Sequence, residues 1–512
     1  MKKLVSKGKR PAWRAAFFCA LAGFCAGVSE AQDQDLAALS HTAKQLMAEG
    51  HFEEAIPICK RLVKAVPGNP GLILNLGMAE EMAGHPGEAV PRFEAVLKIE
   101  PKNVRALTSL ATVQLQLNHP QLALAPLKTL SKLEPSNHDA RGMLAETLMG
   151  LDQLDEAAAE YRKLTAENAA DARSWYGLVK AYESLEARSF DRISRDSPES
   201  PYAAALIGYS RLDRQQYPSA FFFFRHAEEK LPKLRGLHAA LGKVYQETGH
   251  ADWAAIEEKE EESLSSPSCS ANPAECYFVQ NHYLESAKAA AANPTPPSLY
   301  WGAKAYHQLG LEAFSRFASQ PESVELHALN AEILHNHKQD QEAANEWRAA
   351  LRLAPGNRRL EGELATSLFL AHDYKSAMEL IQKLLPSAAG SPDLNFMLGE
   401  SLLRTEQPEQ AVPYLEIALR ANGEMLSAHA SLGLALSKLD RGADAIPHLE
   451  KALGLDDDGS LHYTLARAYQ QAGHADRSRE LMEQYQRIQK QNLEQKNDLA
   501  KDVSIAPPLA RQ

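Results

Sequence analysis

Residues 70–103 read PGLILNLGMAEEMAGHPGEAVPRFEAVLKIEPKN, and this stretch decides the fold of the chain. Its apolar residues recur at helical spacing on both sides of a turn signal, HPG at 85–87. Gly84 can take the left-handed conformation that closes a helix, and Pro86 is well placed at the start of the next one. Pro101 then ends the second helix. The stretch therefore predicts two helices joined by a tight turn, neither of which buries enough apolar surface to be stable alone.

The same pattern returns along most of the chain. Within each of three runs an Ala recurs every 34 residues, and a small residue precedes each Ala by 12 positions. Small residues at two fixed positions of a repeat let two helices cross closely, where larger side chains would hold the backbones apart. The recurring alanines are Ala55, Ala89, Ala123, Ala157, Ala220, Ala254, Ala343, Ala377, Ala411 and Ala445, and the small residues include Gly77, Gly208, Gly242, Gly399 and Gly433.

This pattern resembles the tetratricopeptide repeat, which reads roughly Trp-x2-Leu-Gly-x2-Tyr and then Ala, an aromatic residue and Pro at fixed offsets. The resemblance covers roughly 36–182, 201–262 and 324–492, and within 70–103 it rests on Ile73, Leu76, Gly77, Gly84, Ala89, Phe93 and Pro101. It implies an all-α fold, a right-handed superhelical solenoid of about 11 stacked helix pairs with a degenerate segment in the middle. Solenoids of this kind usually bind other proteins.

Breaks in the 34-residue period suggest how the chain is divided. After Tyr182 the next repeat starts five residues early, at 201, so a short second helix is expected around 190–193. The tail is expected to be helical at first and then disordered. The predicted divisions are a signal peptide at 1–31, an N-terminal repeat array at 32–262, a degenerate helical segment with a Cys pair at 263–323, a C-terminal array at 324–492 and a polar tail at 493–512.

Two segments near these breaks have unusual composition. Four consecutive phenylalanines at 221–224 point all round a helix, and they either cover a face left by the shortened neighbour or form an exposed patch that docks a partner. A run of glutamates ends the helix before 263 and predicts a solvated face. The run consists of Glu257, Glu258, Glu260, Glu261 and Glu262.

The first 31 residues have the organisation of a secretory signal peptide. Six Lys and Arg residues precede an apolar stretch at 15–28, and small residues at Ser29 and Ala31 fit the positions that signal peptidase reads. We expect cleavage after Ala31 and export to the periplasm or medium of a bacterial cell. The apolar stretch is too short for an ordinary membrane span. Phe24 breaks the pattern that lipid attachment at Cys25 would need.

The charge of the chain argues against two classes of partner. The sequence has 55 basic and 66 acidic residues, a net charge of −11, and loss of 1–31 would make it −16. An acidic surface repels nucleic acid and anionic lipid. We therefore expect no nucleic-acid binding and no membrane insertion after signal cleavage.

Three cysteines remain after residue 31. Cys59 lies four residues after Ala55 on the core-facing stripe of a helix and is expected to be a buried free thiol. Cys269 and Cys276 bracket a break in the array, and in an oxidising compartment two such cysteines form a disulfide more often than not. We expect a Cys269–Cys276 clip that holds the loop against a helix starting near Ala274, with two free thiols as the alternative.

No residue pattern indicates catalysis. The sequence has no His-Glu-x-x-His, no Gly-x-Ser-x-Gly and no Gly-rich phosphate loop. His335 and His337 are two positions apart, so on a helix they face different sides and cannot share a metal. We expect no enzymatic activity and no cofactor or metal.

Binding is therefore the expected function. In the proteins that the chain resembles, the first helix of each repeat lines a concave groove, and ligand contacts lie at fixed repeat positions. Met side chains at such positions suit varied apolar ligands, although ordinary packing between helices is the alternative interpretation. On this chain the positions are Lys44, Met47, Leu74, Asn75, Met78, Met82, Arg105, Thr108, Thr112, Met143, Glu146 and Met149.

The expected partners are other proteins or peptide segments, held by a non-enzymatic scaffold of the cell envelope. One alternative is a chaperone-like receptor for extended polypeptides, and another is an accessory subunit of a secreted enzyme or polysaccharide machine. Of the residues with which chaperone-binding repeats grip a terminal carboxylate, only Asn75 and Arg105 have matching chemistry, so that mode is not expected. The sequence leaves the partner and the oligomeric state open.

Overall fold

The computed structural model describes residues 35–502 and 504–509, and all regular secondary structure among them is helical. The predicted signal peptide, with Cys19 and Cys25, lies outside the described residues. In this part of the chain no helix combines the length and the apolar character that a membrane crossing requires.

The helices are numbered in chain order. They are α1 (35–48), α2 (Phe52–Ala65), α3 (Pro70–Met82), α4 (Pro86–Ile99), α5 (Val104–Gln116), α6 (Pro120–Leu133), α7 (His138–Gly150), α8 (Leu154–Glu167), α9 (Ala172–Asp196), α10 (Pro201–Asp213), α11 (Tyr217–Lys230), α12 (Leu237–Glu247), α13 (Ala251–Ser263), α14 (Pro273–Val279), α15 (Tyr283–Ala292), α16 (Pro296–Ala318), α17 (Val324–Asn336), α18 (Asp340–Leu353), α19 (Arg358–Leu370), α20 (Tyr374–Leu384), α21 (Pro392–Arg404), α22 (Pro408–Ala421), α23 (Leu426–Lys438), α24 (Gly442–Ala452), α25 (Ser460–Gln471) and α26 (Ala475–Asp502), with 3₁₀ turns at Leu385–Ser387 and Leu453–Leu455.

The chain divides into two compact units, one that ends at Asn168 and one that begins at Ala169. In the first unit, each helix from α2 to α7 packs against the next helix along the chain, the last of these pairs being α7 with α8. The second unit contains α9 to α26 and the described end of the chain. The division at 168/169 was not among the boundaries suggested by the sequence, because the 34-residue period runs through it.

Local sequence explains where the first helices begin and end. Asn69, Asn103 and Asn137 each accept a hydrogen bond from the main-chain N–H three residues on, at 3.0–3.2 Å. These bonds satisfy amide groups that have no partner within the helix. At the turn that follows, Gly84 has a φ of 86° and so reverses the chain without steric cost.

The small residues of the repeat lie where paired helices cross. Every one of the recurring alanines is buried. A Cβ added to Gly77 would lie 2.7 Å from the Phe93 ring, and one added to Gly433 would lie 2.5 Å from Leu449. Nothing larger than hydrogen fits in these places, so the 34-residue period reflects close backbone approach. The predicted all-α fold of stacked helix pairs is confirmed.

The second unit departs from a simple order of repeats. α9 runs unbroken from Ala172 to Asp196, so the predicted turn and short second helix around 190–193 are wrong. Residues 183–189 contain no Gly, Pro or Asn that would stop a helix. Leu185 and Ile193 are buried, and this packing favours continuation of the helix.

α16 is a second long helix, and it packs along α9 although the two are far apart in sequence. The rings of Tyr182 and Tyr306 lie 6.4 Å apart, and Nδ1 of His307 lies 3.3 Å from the Glu186 carboxylate. α17 also packs against α9. Helices α10–α15 therefore form an excursion between two helices that are neighbours in space.

The three remaining cysteines are placed as predicted. Cys269 and Cys276 form a disulfide that joins the loop after α13 to α14. α14 starts at Pro273, next to the expected Ala274. Cys59 is a buried free thiol, and burial raises its pKa.

The end of the chain differs from the prediction. α26 extends to Asp502, and residues 504–509 have no regular secondary structure but lie against other helices. Ile505 packs against an apolar cluster that includes Phe221 and Tyr245. The prediction was wrong because this segment finds hydrogen-bond partners for its main-chain carbonyls, a feature that side-chain composition does not indicate. We call residues 504–509 the terminal segment.

Candidate functional site

The residues predicted to line a groove lie on the first helices α1, α3, α5 and α7, and only Leu74 among them is buried. It is 7% exposed and belongs to the core shared by α3, α4 and α5. We call the others the first-helix surface. Lys44, Met82 and Arg105 are exposed, and the half-buried members are Met47, Asn75, Met78, Thr108, Thr112, Met143, Glu146 and Met149.

The first-helix surface combines apolar and basic groups. Met82 is 59% exposed at the end of α3, and Met78 one turn earlier packs partly against the core. Flexible, polarizable Met side chains adapt to ligands of different shape. The Thr108 hydroxyl donates to the Val104 carbonyl of its own helix at 2.9 Å, so its methyl group is the part left for a ligand.

A polar side chain near the start of many first helices has a structural role that the sequence analysis missed. It bonds the main-chain carbonyl six residues upstream and so ties the preceding loop to the helix. These bonds are Arg141 to Pro135 at 2.9 Å, Trp175 to Ala169 at 2.9 Å, His238 to Pro232 at 2.8 Å, Asn395 to Ala389 at 2.9 Å and His429 to Gly423 at 3.2 Å.

The side chain at this position often also makes a hydrogen bond to a polar side chain 19 residues downstream, on the second helix of the pair. The pairs are Arg141 with Glu160, His238 with Glu257, His327 with Glu346 and His429 with His448. This recurring spacing is the sequence signal that would have found them.

His238 is the most elaborate case. Its Nδ1 lies 2.6 Å from Oε2 of Glu257 and 3.9 Å from Oε1 of Glu228, and its Nε2 lies 2.8 Å from the Pro232 carbonyl. Both ring nitrogens of His238 therefore have a polar partner within hydrogen-bond distance. Arg225 donates to Glu228 at 2.8 Å. Glu228 and Glu257, both buried, thus each have a nitrogen partner within this cluster.

Glu228, His238 and Glu257 bring three possible metal ligand atoms within 4.8 Å of one another. Both ring nitrogens of His238 are already bonded, however, and His238 occupies the same position as the loop-tying residues of other repeats. We therefore interpret the cluster as part of the helix packing rather than as a metal centre.

The buried position of Glu257 corrects the prediction of a solvated glutamate run. Glu261 departs from it too, because its carboxylate accepts the Gly236 N–H at 2.8 Å at the start of α12. Glu258 and Glu262 are exposed as predicted.

The terminal segment lies against the same helices, and its carbonyl oxygens are bonded there. The Tyr245 hydroxyl donates to the Ala506 carbonyl at 2.7 Å. The Arg225 guanidinium donates to the Ala506 carbonyl at 3.3 Å and also to the Pro507 carbonyl. Burial raises the pKa of Tyr245 well above its usual range, so the hydroxyl stays a donor. We call Phe221, Arg225, Tyr245 and the apolar cluster around them the terminal-segment site.

The Phe run of α11 contributes to this site. Phe221 and Phe224 are buried, Phe223 is half-buried and Phe222 is 42% exposed. The Phe221 ring lies 5.7 Å from the Tyr245 ring and 5.1 Å from the Arg225 guanidinium carbon. Packing thus accounts for most of the run, and Phe222 leaves apolar surface open.

A cleft of about 740 Å³ lies between α9, α10, α12, α16 and α17. Glu183, Glu186, Arg214, Lys243 and His307 are among the residues that line it. A hydrogen bond to Glu186 raises the pKa of His307. Because the lining carries both signs of charge, it favours neither anionic nor cationic ligands, and we assign it no ligand class.

Comparison with known proteins supports the repeat assignment. One sequence model described as a tetratricopeptide repeat matches residues 74–138 and 396–460, and a second with the same description matches 119–182. These stretches cover α3 to α9 in part, and α21 to α25 in part. The chain therefore carries tetratricopeptide repeats in both of its units. No curated protein sequence matches it.

Solved structures that resemble this chain include two described as tetratricopeptide repeat proteins, and each of the three below covers only part of this chain. YrrB, described as having an unusual peptide-binding site, is 21% identical, with 33% of this chain and 87% of that chain covered and a TM-score of 0.29. MamA from Desulfovibrio magneticus is 19% identical, with 33% of this chain and 97% of that chain covered and a TM-score of 0.30. A tetratricopeptide repeat protein from Parabacteroides merdae is 15% identical, with 65% of this chain and 99% of that chain covered and a TM-score of 0.29. At such TM-scores these similarities carry no argument about this chain.

Proposed function

We propose that this chain is a non-enzymatic scaffold that binds segments of partner proteins on its first-helix surface. The observation that carries the proposal is the accessibility of this surface within tetratricopeptide repeats. Every predicted contact residue except Leu74 keeps side-chain surface open, and Met82 leaves more than half of its apolar side chain uncovered. Repeats of this family mediate protein–protein interaction, and stacked helix pairs supply an extended surface for it.

We also propose that the scaffold acts in the bacterial cell envelope. The support is the signal-peptide pattern of residues 1–31 together with the disulfide between Cys269 and Cys276, a bond that persists in oxidising compartments.

The experiment is crosslinking in intact cells, followed by mass spectrometry of the captured proteins. The variant combines Lys44→Glu, Met82→Glu and Arg105→Glu, which are the exposed members of the surface. Leu74 is left unchanged because a charge in the core would unfold the repeat. We expect one dominant partner in the wild type and at least a tenfold loss of it in the variant.

A matched control places the same change of charge on second helices. It combines Lys98→Glu, Leu122→Glu and Lys132→Glu, all exposed on α4 and α6. The control should retain the partner. Equal capture by wild type and first-helix variant would refute the first-helix surface as the binding site.

A second candidate function, a receptor for extended polypeptides, is favoured by one observation. Side chains of α11 and α12 hold the terminal segment, a stretch without regular secondary structure, through its carbonyl groups. In the crosslinking experiment this function predicts many weak partners that are lost together.

A further inference from the structure

The terminal segment is attached to the second unit by few contacts. Ile505 is half-buried against the apolar cluster around Phe221, whereas Ser504, Ala506 and Pro507 are exposed. Among the residues that the structure describes, three hydrogen bonds to two carbonyl oxygens of the segment add to this contact. Contacts of this extent open and close readily, so the segment can leave its site without unfolding the helices.

The two donors of the site are also held by contacts that do not involve the segment. Arg225 is held in place by Glu228, whose side chain is buried and lies in the cluster with His238 and Glu257. Tyr245 is fully buried, and its hydroxyl accepts a hydrogen bond from Arg225 at 3.2 Å and donates to the Ala506 carbonyl. A guanidinium and a hydroxyl are thus fixed side by side and directed at carbonyl oxygens, so little ordering is needed when a peptide binds.

The bonded groups are main-chain carbonyls, so the site reads backbone more than side chains. Pro507 and Pro508 have no N–H group, so neither of these two residues leaves a main-chain donor without a partner on docking. Prolines also keep a chain extended before it binds, which lowers the entropy cost. Aromatic rings are the usual surface for such segments, and the cluster on which Ile505 packs contains Phe221 and Tyr245, with the Trp253 ring 5.5 Å from that of Tyr245.

We propose that the terminal-segment site is a second peptide-binding site of this chain, for extended partner segments in which an aliphatic residue is followed by a small residue and proline. In the free protein the chain's own terminal segment occupies it, and a partner segment of the same chemistry displaces it. Phe222, exposed on the same helix, adds apolar surface that the terminal segment leaves uncovered. This site lies in the second unit and is independent of the first-helix surface.

The test measures binding of a fluorescein-labelled synthetic peptide with the sequence of residues 500–512 to the full-length protein by fluorescence anisotropy. In the wild type the attached segment competes at a high effective concentration. Ile505→Asp in the protein removes the apolar contact of its own segment. We expect the peptide to bind this variant at least tenfold more tightly than it binds the wild type.

A second substitution tests the assigned donor. Tyr245→Phe, added to Ile505→Asp, removes one hydroxyl and keeps the ring, and it should weaken peptide binding about fivefold. Tyr209→Phe is the matched control, because the Tyr209 hydroxyl also donates to a main-chain carbonyl, that of Gly236, at 2.7 Å. Added to Ile505→Asp, it should leave peptide affinity unchanged.

Three outcomes would overturn the proposal. The first is no binding of the peptide to Ile505→Asp, and the second is equal binding to Ile505→Asp and to the wild type. The third is a wild-type dimer in light scattering that Ile505→Asp abolishes, because the occupant would then be the segment of a second copy. If a peptide with Pro507 and Pro508 replaced by Ala binds equally well, the preference for proline is refuted. None of these results bears on the first-helix surface.

Discussion

Among the described residues, eight other than glycine hold a positive φ, and all lie at turns between paired helices. Gly84 and Gly249 serve the same position elsewhere, with φ of 86° and 82°. A side chain in this conformation brings its Cβ too close to the following carbonyl. The repeat thus tolerates a strained residue at the turn, where main-chain hydrogen bonds hold it.

Lys338, with a φ of 62° between α17 and α18, offers a direct measure of this strain. We expect Lys338→Gly to raise the free energy of unfolding by about 0.5–1 kcal/mol, because relief of the left-handed conformation exceeds the entropy cost of glycine. Urea denaturation followed by circular dichroism measures the change. Lys338→Ala loses the same long side chain but keeps the Cβ, so it should not stabilise; equal stabilisation by both variants would contradict the strain.

Single residues also show what the sequence could predict. Gly77 and Ala89 mark the helix crossing because only small residues fit there, and that restriction appears in the sequence as a period. His238 bonds the main-chain carbonyl six residues upstream, and in other repeats an Arg, a Trp or an Asn makes the same bond. Since several residue types satisfy one carbonyl, this position leaves no single-residue signature.

At the scale of helices, the sequence predicted the pairs well and the connections between distant helices poorly. The glycines themselves indicate the turns at Gly84 and Gly249. The continuity of α9, by contrast, is indicated only by the absence of helix-breaking residues between 183 and 189. The packing of α9 on α16 lies outside any 34-residue period, because the two helices belong to different stretches of the chain. The contacts of the terminal segment were also missed, since carbonyl groups are common to all residues.

The contact between α9 and α16 has a predictable dependence on pH. The hydrogen bond from His307 to Glu186 raises the pKa of His307 above its ordinary value of about 6.5. A raised pKa in the folded state means that the stabilisation is fully present below the unfolded pKa and is lost as pH rises through the folded pKa. His307→Gln should therefore lower the midpoint of thermal unfolding at pH 5.5 and have little effect at pH 8.5.

Calorimetry of wild type and His307→Gln at the two pH values provides the measurement. Glu186→Gln, which removes the other partner, should reproduce the same pattern. A difference that grows toward pH 8.5 would show that the bond does not stabilise the charged imidazole.

At the scale of the whole molecule, the second unit is less one-dimensional than a regular repeat array. Where each repeat touches only its neighbours, a destabilising substitution affects only the adjacent repeats. α9 and α16 instead share a core with the helices between them, which includes Ile193 from the end of α9 and Tyr300 and Trp301 from the start of α16. A substitution in this core should therefore speed hydrogen exchange in helices that are remote from each other in sequence.

Ile193→Ala tests this coupling. Ile193 is fully buried, and its truncation should cost about 2–4 kcal/mol. Hydrogen exchange with mass spectrometry should show faster exchange in α16 as well as in α9. Leu415→Ala, an equally buried change in the regular array, should affect only α21 to α24. Unchanged exchange in α16 of the Ile193 variant would contradict a shared core.

The pairing of α9 with α16 also means that α9 is synthesised well before the helix against which it packs. A ribosome completes α9 at Asp196, but the helix that covers its apolar side begins only at Pro296. At usual rates of elongation this leaves α9 without its partner for about 5–20 s, long enough for an unshielded apolar stretch to meet other nascent chains. The helices made in that interval must either shelter it or stay unfolded until α16 emerges, so premature termination between these two points would leave a product prone to aggregate.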